Sequence, residues 1–211
     1  MKVSDIEVSY IQHCGDDLAV VNAARVSFHK ESSEFSNQDA KLINYLANHK
    51  HCSPFNHAFI TVRVKAPIVV ARQLVKHKFM PWNEVSRRYV DEEPEFYLPN
   101  TWRKKAENVK QGSSDEEIAS ADTVGTEATV KALQAYRELL DRGVCPEQAR
   151  FVLPQNMMTE WWWSGTLGAF CDMLILRLDP HTQKESRIVA EKIRDILQPL
   201  FPVALKARIG S

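Results

Sequence analysis

The 211-residue sequence has no excess of either charge: 27 Lys and Arg stand against 27 Asp and Glu. No global positive field draws it toward nucleic acid or an anionic membrane, so any anionic partner must be held by a local cluster. There is no CxxC. Cys14, Cys52, Cys145 and Cys171 are widely spaced, which fits reduced thiols in a cytoplasm-like compartment, packed as small core residues, and not a disulfide framework. RRM and KH patterns, internal repeats and low-complexity tracts are also missing. The apolar stretches are broken by Arg63, Lys65, Asp172 and Arg177, and the opening MKVSDIEVSY contains two acids and no apolar block. Neither a signal peptide nor a membrane helix is expected, and the expected location is cytoplasmic, or the host cytoplasm for a viral protein. What remains is an ordinary globular composition, 44% hydrophobic and 26% charged, of a length that fits one domain over 1–211.

The opening alternates through Val3, Ile6, Val8 and Tyr10 as a strand does, and DDLAVVNAARVSF then places Leu18, Val21 and Ala24 at helical spacing behind Asp16 or Asp17 as cap. Ser36 and Asn37 open a second helix with Leu42, Tyr45 and Leu46 on one face, ending near His49. His51 to His57 reads as a loop, and AFITVRVKA at 58–66 as a strand covered on one face. Pro67 is expected in the first turn of a helix that continues through IVVARQLVKHK. Residues 103–128 exchange periodic apolar residues for Lys, Glu, Ser and Gly, and read as a mobile surface excursion. Helical periodicity returns from Val130 and closes at Gly143. A short helix follows Pro146, NMMTEWWW is extended, TLGAFCDMLILRL is helical, and a last amphipathic helix is broken by Pro199. The sum is an α+β fold, a small mixed or antiparallel sheet packed with helices.

The chemistry concentrates in RQLVKHKFMPWNEVSRRY at 72–89. A basic cluster of this kind can be no more than a solvated helix end and polar loop. Here Ser, Arg and backbone N–H groups converge after a helix end, which is what a phosphate needs. No Cys-His or Ser-His-Asp arrangement stands out for nucleophilic catalysis. His49, His51 and His57 invite a zinc reading, but no carboxylate or cysteine completes a convincing set, although Cys52 is adjacent, and no metal is expected. Of Trp161, Trp162 and Trp163, at least one should be core, because neighbours in a strand point to opposite faces.

The order Lys76-His77-Lys78, Asn83-Glu84, Ser86, Arg88-Tyr89 resembles the signature of the flavin-dependent thymidylate synthases, which usually reads Arg-His-Arg, seven further residues, then Ser, with Asn-Glu before it and Arg-Tyr after. DLAVVNAARVSF, LINYLANHKHCSPFNHAFITVRVKAPIVVARQ, EFYLP, ARFVLP and LRLDPHTQKE look like family segments in family order. The resemblance implies that family's fold and reductive methylation of dUMP to dTMP, with methylenetetrahydrofolate as carbon donor, FAD as hydride carrier and NADPH as reductant. No cysteine nucleophile is then needed. It also implies residue roles. Gln73, Glu84, Ser86, Arg87, Arg88, Arg150 and Arg177 match dUMP contacts, with Ser86 and Arg88 directed at the phosphate and Arg177 beside the pyrimidine, where a fixed cation can stabilise developing negative charge. A salt bridge to Asp179 or Glu185 is the plainer alternative for Arg177. Lys76, His77 and Lys78 match the flavin-contacting triplet, and Ser27, Ser53, Asn56, Asn83, Glu84 and Thr166 match further flavin contacts. The family pattern implies a homotetramer with sites shared between subunits, Arg88 and Arg150 of one site coming from different chains.

The sequence departs from the pattern in places. Lys76 and Lys78 replace arginines and lose the planar fork. Pro81 stands where serine is common, and Gly168 follows SGTL where members often carry arginine. Such divergence, in a compact chain, suits a phage or viral member. Two other outcomes stay open. On the same fold, water could capture the one-carbon intermediate and make a 5-hydroxymethyl nucleotide, or the base could be cytosine, with Asp172 accepting from its amino group. In another class, the 72–89 cluster could serve a non-catalytic nucleotide-binding module.

Overall fold

The computed structural model describes residues 1–90, 92–107, 112–118 and 121–210. Along the chain run β1 (Lys2–Val3), β2 (Glu7–Cys14), α1 (Asp17–Arg25), α2 (Asn37–Asn48), β3 (Phe59–Pro67), α3 (Ile68–Leu74), β4 (Trp82–Glu84), β5 (Glu95–Phe96), β6 (Arg103–Lys105) and β7 (Ser113–Glu117). They are followed by α4 (Ala121–Asp141), α5 (Pro146–Ala149), β8 (Met158–Thr166), α6 (Leu167–Arg177), α7 (Lys184–Leu197) and α8 (Pro202–Ile209).

The central sheet is antiparallel, in the order β2-β3-β8-β4. On β3 the alternation places Ile60, Val62, Val64 and Ala66 fully inside, with Arg63 exposed on the other face. Its pairing with β8 sets Val62 opposite Trp163 and Val64 opposite Trp161. Period two on β8 buries Trp161 and Trp163 and exposes Trp162, as the alternation requires. Helix α7 packs on β2 and β3, and α3 on β3 and β8. A second, smaller cluster of Phe96, Leu133, Tyr136, Ala149 and Met157 lies under α4.

The helix starts follow cap chemistry. The Asp16 side chain accepts from the Ala19 amide at the head of α1, and Ser36 and Asp39 form a reciprocal capping box on α2. Asp17 does a different job: it is buried and accepts from the Val203 and Ala204 amides, tying the head of α8 to α1.

Several expectations need correction. Pro67 ends β3 and caps α3, and α3 stops at Leu74. Lys76, His77 and Lys78 therefore lie in the turn beyond the helix, because the chain must reverse to pair β4 with β8. Phe79 adopts φ 61° in that turn and Met80 buries against Gly165. Helix α4 begins at Ala121 and not near Val130; the rest of the 103–128 stretch, read as a surface excursion, carries the paired strands β6 and β7, and its residues 108–111, 119 and 120 lie outside the described residues. Pro199 is followed by one more helix, α8. Of the four cysteines only Cys171 is core; Cys14, Cys52 and Cys145 are exposed. No helix among the described residues is long and apolar enough to cross a membrane.

Candidate functional site

Ten of the fifteen expected nucleotide and flavin residues line three clefts, and Ser86, Arg88, Ser27, Ser53 and Asn83 line none of them. The first, of about 530 Å³, is lined by Arg63, Lys65, Glu84, Arg87, Arg150 and Phe151 among others. Glu84 is held on both oxygens, by Thr159 Oγ1 at 2.6 Å and by Trp82 Nε1 at 3.1 Å. Beside it the chain turns at 86–89, where the Tyr89 amide donates to the Ser86 carbonyl. The Arg88 amide lies 3.4 Å from Ser86 Oγ, and the Arg87 guanidinium donates to the Glu92 carbonyl. Arg88 stands 3.6 Å from the Glu147 carboxylate, while Arg150 Nε donates to the Glu147 carbonyl at 3.2 Å. Arg88 and Arg150 of one chain thus share a neighbourhood at α5.

The second cleft, about 440 Å³, is lined by Gln73, Lys76, Gly112, Arg177, His181, Thr182 and Gln183. It shares no lining residue with the first. Arg177 Nε donates to His77 Nε2 at 3.0 Å and Nη2 to the Gln73 carbonyl at 3.0 Å. Neither Asp179 nor Glu185 holds Arg177: Asp179 caps His181 and Glu185 takes Arg103. Burial, reinforced by the Arg177 charge and only partly opposed by Asp172, lowers the His77 pKa to about 4. His77 is therefore neutral near neutral pH, and because Arg177 donates to Nε2 its proton belongs on Nδ1.

The third cleft, about 520 Å³, has His77, Lys78, Phe79, Asn56, Thr166, Ala169 and Asp172 as lining. Thr166 Oγ1 donates to Asn56 Oδ1 at 2.8 Å and accepts from the Ala169 amide as the cap of α6. A Cβ on Gly168 would stand 2.3 Å from Asn56 Oδ1, so any side chain there would displace the Asn56 amide. Asp172 is held by Arg208 at 2.5 Å, so its carboxylate already has a partner other than a base. Ser27 and Ser53 are exposed in short turns at Val26–Phe28 and Ser53–Asn56, and Asn83 is exposed on β4; none of the three lines these clefts. His49 and His51 instead cluster with Tyr45, whose ring stacks on His49 at 4.0 Å. No group of three or more His, Cys, Asp or Glu side chains that could hold a metal occurs among the described residues.

Sequence reasoning missed the residues behind the second cleft. Gln183, Glu185, Ser186 and Arg103 support Gln73 from α7, the residue just before it and the hairpin. Their signal lay in the HTQKE stretch, but the partners are 82 to 113 residues apart in sequence.

Residues 9–203 match the family model described as thymidylate synthase complementing protein. The chain is 42% identical over 205 residues to a flavin-dependent thymidylate synthase of Thermus thermophilus, covering 95% of this chain and 74% of that one. It is 37% identical over 214 residues to the enzyme of the same name from Kosmotoga olearia, covering 98% and 93%. The chain belongs to the flavin-dependent thymidylate synthases. Its fold is theirs too: a solved UMP/dUMP methylase from Streptomyces cacaoi, bound with 5-Br dUMP, superposes with a TM-score of 0.88 at 32% identity over 98% of this chain and 96% of that one. Family membership makes the chain a methyltransferase with a flavin cofactor, and sets aside the non-catalytic module.

Proposed function

We propose that the chain converts dUMP to dTMP, taking the carbon from methylenetetrahydrofolate and the reducing equivalents from NADPH through FAD. Overall, dUMP, methylenetetrahydrofolate, NADPH and a proton give dTMP, tetrahydrofolate and NADP⁺. The observation that carries this reading is that a neighbour so similar over nearly its whole length binds a dUMP analogue, while this chain keeps at its own clefts the cations and carboxamides a pyrimidine nucleotide needs. Arg87, Arg88 and Arg150, with Ser86, form the anion-binding end. Arg177, half-buried and steered by His77 and the Gln73 carbonyl, is the fixed cation for negative charge on the ring. We assign Ser86 and Arg177 as the residues that touch the reacting nucleotide, and the whole span 1–211 as one catalytic unit.

The third cleft suits part of a flavin. It offers a neutral histidine with a free Nδ1–H, the Lys78 cation, an amide and a hydroxyl, and the exposed ring of Phe79. Lys76, His77, Lys78, Asn56 and Thr166 would hold the cofactor, with Ser27, Ser53, Asn83 and Glu84 as outer contacts. When bound, FAD supplies hydride transfer.

Of the residues expected around one nucleotide, Glu84, Arg87 and Arg150 line one cleft, with Ser86 and Arg88 in the turn beside it, while Gln73 and Arg177 line another with no shared lining. This supports a site built from two copies, Gln73 and Arg177 from one and Ser86, Arg88 and Arg150 from the other, in a homotetramer. Arg88→Ala and Arg177→Ala should each be inactive, and mixed and reassembled they should recover about a quarter of wild-type activity, by random pairing in a shared symmetric site. Arg88→Ala mixed with Arg150→Ala should recover none. Recovery in the second mixture and not the first would refute the division. UMP is a second candidate substrate, because the Streptomyces neighbour is named for both nucleotides and is also solved with 5-Br UMP. Parallel assays with UMP and dUMP decide between them.

A further inference from the structure

Gln73, at the second cleft, is the end of a buried polar relay. Arg103 on β6 donates to both oxygens of Glu185, at 3.0 and 3.3 Å, and is itself fixed by Ser113 Oγ on β7 at 2.7 Å. Gln183 Nε2 donates to Glu185 Oε2 at 2.9 Å. Gln73 Nε2 donates to Gln183 Oε1, and Ser186 Oγ donates to Gln73 Oε1 at 3.0 Å. Glu185 and Ser186 are buried, and the Arg103–Glu185 pair is 13% and 10% exposed.

The direction of this relay follows from one group. Burial alone would raise the Glu185 pKa, but the Gln183 amide, the residue's own backbone N–H and Arg103 outweigh it and hold the carboxyl below its usual range. An ionised carboxylate only accepts. Gln183 must therefore turn its NH₂ toward Glu185 and its oxygen toward Gln73. Gln73 must then answer with its own NH₂, leaving its oxygen to the Ser186 hydroxyl. Each amide alone could sit either way round. With a carboxylate at the end of the line, neither can. The result is that the Gln73 oxygen is turned toward Ser186, and its NH₂ keeps a second N–H, beyond the one given to Gln183, as the donor it can offer to the cleft it lines.

We propose that Glu185, held by Arg103 of the β6–β7 hairpin, is a positioning residue that fixes the Gln183 and Gln73 amides so that the site selects a pyrimidine with a carbonyl where cytosine has an amino group. The inference rests on the nucleotide reading of the second cleft given above and deepens it: it assigns base choice to a residue that touches no nucleotide. A donor facing a carbonyl makes a hydrogen bond, whereas a donor facing an amino group leaves two donors opposed and desolvated.

The test is titration calorimetry of dUMP and dCMP on the flavin-loaded protein, comparing wild type with Glu185→Gln and Gln183→Met. Glu185→Gln keeps the shape and can still meet Arg103, but as an amide it also donates, which frees both glutamines to turn. Gln183→Met breaks the relay and leaves the Arg103–Glu185 pair in place, so it decides the question if loss of the buried charge unfolds the first variant. Wild type should prefer dUMP, and in each folded variant the ratio of dUMP to dCMP affinity should fall about tenfold, the scale of one ordinary hydrogen bond. A merely loosened site would weaken both nucleotides alike and leave the ratio unchanged. That unchanged ratio, or a wild type that binds both nucleotides equally, overturns the inference. A wild type that binds neither nucleotide refutes the functional reading itself.

Discussion

Acidification should destabilise this protein through His77, and the size can be worked from its surroundings. The imidazole has an ordinary pKa of 6.5 and is held near 4 in the fold, first by burial and then by the adjacent Arg177. The folded pKa is below the unfolded one, so between these values the unfolded chain takes up a proton that the folded chain refuses. Stability from neutral His77 is thus fully present above about pH 6.5 and is lost as pH falls toward about 4, with no further loss below. A shift of this size corresponds to about 3 kcal/mol at most, and because the ring keeps some contact with solvent we expect about 1.5 kcal/mol. His77→Gln is the matched control: its carbonyl can accept from Arg177 Nε, and it does not titrate. Urea unfolding of both proteins across this range isolates the contribution, since other titrating groups act on both alike. The stability advantage of wild type over His77→Gln should shrink by about 1.5 kcal/mol on acidification, as the linkage requires. A difference that stays flat, or that grows as pH falls, would refute the neutral, Arg177-coupled histidine.

Other outcomes follow from packing and chemistry. Gly168→Ala gains about 1 kcal/mol of helix propensity but pushes Asn56 off Thr166, at about 1–3 kcal/mol for overpacking; FAD affinity should fall about tenfold, the scale of one hydrogen bond, by flavin fluorescence titration. Trp161→Ala should cost about 3–5 kcal/mol in thermal unfolding, and the exposed neighbour Trp162→Ala less than about 0.5 kcal/mol. Burial pushes the Cys171 thiol up to about 12, so an alkylating reagent should modify Cys14 and Cys145 and spare Cys171, read by peptide mass spectrometry. A variant with all four cysteines changed to Ser or Ala should keep its turnover; a loss of more than about a thousandfold with folding intact would mean a cysteine nucleophile.

Much of the fold was legible because it is written locally. Asp16, Ser36 and Asp39 mark two helix heads by side chains that reach only three residues, and the alternation in FITVRVKA names its own buried face. The Trp161-Trp162-Trp163 run behaved as a strand must. Where α3 ends was not legible, because nothing in IVVARQLVKHK announces the stop; the demand that β4 pair with β8 does. Helix α8 was missed for a related reason: its head is capped by Asp17, 186 residues away from Val203. The candidate site divides the same way. The 72–89 cluster stood out because its donors are contiguous, whereas Glu185, Gln183 and Arg103 act on it across the fold and individually read as ordinary surface polar residues. The separation of Gln73 and Arg177 from Arg88 and Arg150 is a property of the folded surface, and no spacing in the chain encodes it.

The most direct test of the central claim is an anaerobic experiment on the purified flavoprotein. The flavin is reduced with NADPH, then mixed with dUMP and methylenetetrahydrofolate labelled at the methylene carbon, while the flavin absorbance is followed and the nucleotide product is weighed by mass spectrometry. The account predicts that reoxidation requires both dUMP and the folate, and that the product is dTMP carrying the labelled carbon as a methyl group. Reoxidation indifferent to dUMP, or a product with the mass of the 5-hydroxymethyl nucleotide, would contradict it.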